Sequence, residues 1–72
     1  MQKKISYLPL RMQLVQKGIS RPQLIEMVGM SPTTAVHLFK DEHVSLRLIE
    51  KICNVLDCDI QDVVTLTDFK EE

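Results

Sequence analysis

Tryptophan is absent, and one tyrosine and two phenylalanines are the only aromatics among 72 residues. Any core must therefore be aliphatic, packed from leucine, isoleucine, valine and methionine. Glycine occurs only twice, too sparsely for a loop that cradles phosphate. Paired carboxylates and nucleophile–base spacings are missing as well, so the chain lacks what an enzyme needs. No apolar run approaches the roughly 20 residues of a membrane span. The basic start, MQKKISYLPLRMQLV, is broken by Pro9, Arg11 and Gln13 before it could act as a signal-peptide core. These absences leave a soluble, cytoplasmic protein as the expectation, with no cofactor and no membrane partner.

Cysteine is scarce too. Cys53 and Cys58 stand five apart, an offset that matches no common redox or zinc-ribbon spacing, and a metal site would have to recruit His37 and His43 as well. Cys53 falls on an apolar helical face and Cys58 in a short connection, so both are expected to be reduced, structural thiols, with no metal bound.

What is present is a chain that is 44% hydrophobic, enough for one folded domain near the size where a single core just suffices. The net charge of −1 hides a division. Residues 1–53 hold eight Lys/Arg against four acids, a balance of +4, whereas residues 54–72 hold one lysine against six acids, a balance of −5. That asymmetry reads either as a basic working region with an acidic back or tail, or as a solvated surface with chance clustering.

Along the chain, KISY (about 4–7) reads as an extended arm or short strand. Pro9 opens a first helix whose stripe is Leu10, Leu14 and Val15, ended by Gly18. A second helix, about 21–28, turns Leu24 and Val28 inward. A third, about 32–40, turns Ala35 and Leu38 inward. After the polar KDEHV, Ser45 caps a fourth helix, about 46–56, with Ile49, Ile52, Cys53 and Leu56 as its stripe. Asp59 caps a fifth, shorter helix, and a strand-like run follows at about 64–69.

The stretch SRPQLIEMVGMSPTTAVHLFK places two helix starts eleven residues apart. Ser20 to Gln23 forms a capping-box pattern, Ser31 is followed by proline, and Gly29 lies between them where a helix C-terminus needs a left-handed residue. Helix, tight turn, helix over about 21–40 is a helix-turn-helix, a unit that offers its second helix to the DNA major groove.

The chain resembles the Cro/Xre-type helix-turn-helix regulators, particularly their compact single-domain bacterial and phage branch. The resemblance runs from Leu24 through Gly29-Met30-Ser31, Thr34, Leu38, Lys40 and Glu42 to Val44-Ser45-Leu46, and on through KICNVLDCDIQDV, Lys51 to Val63. It implies an all-α, five-helix, lambda-repressor-like DNA-binding domain spanning 1–72, with short terminal strands as an option. Two positions depart in a compensating way. Ile25 stands where the family is often small and Ala35 where it carries Ile or Val, so volume has moved across the helix crossing. Phe39 replaces a small or polar residue and either fills a neighbouring groove or meets a partner subunit.

On this reading Thr33, Thr34 and His37 project from the first turns of the third helix toward base edges, where threonine can hydrogen-bond or meet a thymine methyl and histidine can donate or accept. Ser31 and Pro32 bring the free backbone N–H groups and positive end of that helix to the groove entrance. Arg21 takes a position that in the family usually holds a phosphate-contacting Gln, and Lys40 and Arg47 are further backbone contacts. The expected partner is double-stranded DNA, bound by a homodimer joined through apolar residues near the termini, Ile5, Tyr7, Val64, Leu66 and Phe69. The function implied is transcriptional regulation, as a repressor. The rival reading is an antitoxin or other partner-binding protein that keeps the fold and grips a basic protein with its acidic C-terminal third. Arg21, Lys40 and Arg47 on one face with the third helix favour the first, and a neutral or acidic third-helix face favours the second.

Overall fold

The computed structural model describes residues 2–69, Phe69 by its backbone alone. The elements run β1 (Gln2–Ser6), α1 (Leu8–Lys17), α2 (Arg21–Val28), α3 (Pro32–Phe39), α4 (Leu46–Leu56), a 3₁₀ turn (Ile60–Asp62) and β2 (Thr65–Phe69). The helix boundaries follow local chemistry. Ser20, Ser31 and Ser45 each accept the N–H three residues on, from Gln23, Thr34 and Leu48, and Gln23 returns the bond to Ser20 at 2.8 Å. Gly18 and Gly29 close α1 and α2 at φ of 67° and 78°. A Cβ at Gly29 would meet nothing within 4 Å. Backbone conformation, not space, is what calls for glycine there.

Among the described residues there are four α-helices where five were expected, and a two-stranded sheet joins them. The expected fifth helix is a single 3₁₀ turn. The Asp62 carboxylate accepts the Asp59 N–H at 3.1 Å and Val63 N–H bonds back to Ile60, but the chain then turns. Val63 is fully buried, and its carbonyl accepts the N–H of Leu10 from α1 at 3.3 Å. A continuing helix would need that carbonyl for itself, and the β-branched Val63-Val64-Thr65 run favours extension. β1 and β2 pair antiparallel within one subunit, Lys3 opposite Asp68 and Ile5 opposite Leu66. The basic and acidic parts of the sequence thus meet in space at this end. Lys70, Glu71 and Glu72, part of the expected acidic tail, lie outside the described residues.

The core gathers Leu10, Leu14, Leu24, Val28, Leu38, Ile49, Ile52, Leu56 and Val63, with Tyr7 among its most deeply buried members. Two expectations about apolar residues are corrected here. Val15 is 81% exposed. Tyr7, Leu10 and Leu14 set the inward phase of α1, and a residue one step past Leu14 rotates about 100° out of it. Conversely, most of the apolar residues assigned to a dimer surface belong to this subunit's interior. Tyr7 is 2% exposed, and Ile5 and Val64 pack against the core, leaving Leu66 exposed. The Tyr7 hydroxyl donates to the Glu42 carbonyl at 2.8 Å, the partner a buried phenol requires. Burial raises its pKa.

Asp41 ties the first elements to the end of α3. Its carboxylate accepts the Tyr7 N–H at 2.9 Å and the Arg11 guanidinium at 2.7 Å, while its own N–H returns to Leu38. It does so at a positive φ of 58°, a left-handed conformation that aspartate tolerates better than most residues. The Arg11 hydrogen bond holds the Asp41 carboxyl below the usual carboxylate range, against the opposing effect of burial.

Candidate nucleic-acid interface

α3 is anchored at one end by its cap and along one side by Ala35 and Leu38, both buried. The Ser31 hydroxyl accepts the Thr34 N–H at 3.2 Å and donates to the Thr34 side-chain oxygen at 2.9 Å. Thr34 is half-buried by this arrangement, whereas Thr33, Val36 and His37 stand on the exposed side. Pro32 carries no amide hydrogen to offer a phosphate; its ring forms part of an apolar wall instead.

That wall belongs to a cleft of about 380 Å³ between α2 and α3, lined by Pro22, Ile25, Pro32, Ala35, Val36 and Phe39, with Arg21 and Lys40 also in its lining. Ile25 and Ala35 therefore face one shared space, as their exchanged sizes suggested. Phe39 fills part of the same groove, half-buried against the core, and the Arg21 guanidinium lies over its ring at 4.8 Å from the centroid. On the other flank, Thr34 of α3 and Met30 of the turn adjoin Ser45, which caps α4, and Arg47 and Lys51 of α4 around a shallow depression of about 190 Å³. The structure thus places cations on both sides of α3. Among the described residues none of Arg21, Lys40, Arg47 and Lys51 is held in an ion pair.

One acid intrudes. Glu42 meets His37 Nδ1 at 2.9 Å, both side chains about half exposed. The contact orients the imidazole and leaves its opposite ring nitrogen available to a base edge. Three features of the surface around α3 were not expected from the sequence. Lys51 lies one helical turn beyond Arg47, so the i, i+4 spacing could have found it. Val36, 50% exposed on α3, follows from the same phase that buries Ala35. The pairing of Phe39 with Arg21 had no local signal.

Elsewhere, a larger groove of about 530 Å³ runs between α1 and the Gln61–Asp62 turn. No residue of α3 lines it, and it gathers no comparable set of cations, so its size does not make it the site. Burial, with Cys58 beside it, pushes the Cys53 thiol up and disfavours a reactive thiolate. Among the described residues no cluster of three or more His, Cys, Asp or Glu could hold a metal ion. No described helix is long and apolar enough to cross a membrane.

Comparison with known proteins agrees with this geometry. A family model described as the Cro/C1-type HTH DNA-binding domain matches residues 9–68. The crystal structure of the transcriptional regulator VanUg superposes with a TM-score of 0.88 at 33% sequence identity, covering 93% of this chain and 89% of that one. No curated protein sequence matches. A capped helix-turn-helix, the matching model across most of the chain and the similarity to VanUg lead to one conclusion: the chain belongs to the Cro/C1-type helix-turn-helix DNA-binding domains.

Proposed function

We propose that the protein is a sequence-specific transcriptional regulator of double-stranded DNA, acting in the cytoplasm as a repressor with α3 in the major groove. The observation that carries this reading is the flanking of α3 by Arg21 and Lys40 on one side and Arg47 and Lys51 on the other. Two rows of cations beside an exposed polar helix match two phosphate strands beside a groove. Such contacts give affinity and salt dependence, while the α3 side chains read sequence. Thr33 and His37 are the direct readers, Thr34 adds the proton its hydroxyl still has to donate, and Val36 suits a thymine methyl. Ser31 acts through the helix start it caps. Occupancy alone would repress, by excluding polymerase from the same duplex. The printed description of VanUg as a transcriptional regulator supports the same class.

The test is selection from random duplex DNA by the purified protein. A defined motif should be enriched. Thr33→Ala should then cost about 1 kcal/mol on that motif, since threonine makes at most a single-point contact, and little on random DNA. No enrichment would sink the reading, and equal losses on both duplexes would remove Thr33 from the base readers.

One recognition helix reads only a few base pairs, too few for useful specificity in a genome. The protein therefore works as a homodimer on half-sites about 34 Å apart. With Tyr7, Ile5 and Val64 committed to the core, the surface for pairing is the stripe of Leu8, Met12 and Val15 on α1, which are 50%, 54% and 81% exposed. It adjoins the start of β2 through the groove shared by Leu8, Met12 and Thr65, with Leu66 exposed one residue on. Met12→Glu should leave a folded monomer in sedimentation and bind a full site no better than a half-site. A wild type that is itself monomeric at micromolar concentration, with and without DNA, would rule out the pairing.

A further inference from the structure

The neighbourhood of Phe39 carries an inference about how the interface is organised, one that rests on the DNA-binding reading. Arg21 is the first residue of α2, exposed and long, and such a side chain ordinarily samples many rotamers. Here its guanidinium lies over the Phe39 ring, 4.8 Å from the centroid, and the ring is itself held because Phe39 packs against the core. A cation–π contact uses none of the guanidinium's N–H donors as hydrogen bonds, so a phosphate can still take two of them at once. Arg21 has no acidic partner among the described residues to occupy those donors. Lys40, next to Phe39 in sequence, lines the same cleft.

We propose that Phe39 is a positioning residue for DNA: its ring holds the Arg21 guanidinium at the α2–α3 cleft beside Lys40, so that both cations address one stretch of the phosphate backbone. The ring touches no base in this scheme. It acts through Arg21, and it explains an aromatic at a position where packing alone would be met by an aliphatic side chain of similar bulk. The cost of losing it should therefore vanish when Arg21 is absent.

The experiment is a double-mutant cycle on the full chain, with Phe39→Leu, Arg21→Ala and the pair, binding both a selected duplex and a random one across a salt series. Phe39→Leu should weaken binding about two- to fivefold on either duplex, the range of an exposed cation–π contact expressed as affinity. It should change nothing further in the Arg21→Ala background, and Phe39→Tyr should restore wild-type binding. In the free protein the Arg21 side-chain protons should show a ring-current shift that Phe39→Leu removes. That signature is independent of DNA and survives any modest loss of stability. Equal weakening by Phe39→Leu with and without Arg21, or no ring-current shift in the folded wild type, overturns the proposal. If Arg21→Ala leaves affinity and salt slope unchanged while the wild type binds DNA, the positioning role fails and the DNA-binding reading stands. If the wild type binds no duplex, that reading fails and takes the proposal with it.

Discussion

Replacing Arg21, Lys40, Arg47 and Lys51 together with alanine should flatten the salt dependence of DNA binding while leaving the fold intact. Each phosphate neutralised contributes about 0.9 to the slope of log affinity against log salt, so four lost contacts lower it by about 3.6. From roughly 50 to 200 mM salt, the variant's affinity should consequently fall about 150-fold less than the wild type's, starting from a much weaker value. All four side chains are exposed, and none is in an ion pair among the described residues, so thermal unfolding should move little. Fluorescence anisotropy with a labelled duplex supplies the slope. An unchanged slope would mean that the four cations do not face DNA, however well the fold matches. Glu42 gives an internal contrast: as the acid beside His37 it should oppose phosphate, so its charge works against the other four.

The second large effect concerns stability. Asp41→Ala is expected to destabilise the domain by about 3 kcal/mol, a large share of the total for a chain this size. Three hydrogen bonds to the carboxylate disappear, one from Tyr7 N–H and two from the Arg11 guanidinium, the second a long one, and alanine must take up the left-handed φ of 58°. The pair is about one-quarter exposed, which keeps each bond toward the low end of its range. Asp41→Asn separates the contributions, since asparagine tolerates that backbone conformation but loses the charge; it should cost about half as much. The pH dependence has a definite sign. Arg11 lowers the Asp41 pKa in the folded state, so the stabilisation is complete above the unfolded carboxylate value of about 3.9 and is lost as pH falls through the lower folded value. Denaturant unfolding from pH 6 down to pH 2 should show this component in the wild type and not in Asp41→Asn. Parallel profiles for the two proteins would show that Asp41 is not the group responsible.

The local grammar of this chain was legible without coordinates. Ser20, Ser31 and Ser45 begin helices and Gly18 and Gly29 end them because capping is settled within about four residues, a range over which sequence neighbours are spatial neighbours. The inward positions Leu24, Val28, Ala35 and Leu38 followed from periodicity, and the helix-turn-helix followed from both. Tertiary structure decided what periodicity leaves open. Val15 stands outside because Tyr7, 34 residues from the Asp41 that receives its N–H, sets the phase of α1 against the core. The expected fifth helix stops after one 3₁₀ turn because the Val63 carbonyl is needed by Leu10. Lys51 comes to line one depression with Thr34 and Arg47, Thr34 turns partly to its cap, and Phe39 sits under Arg21 only once α2, α3 and α4 have crossed. Spacing along a helix fixes which residues share a face; which face meets which neighbour depends on contacts between residues far apart in sequence, and those exist only in the folded chain.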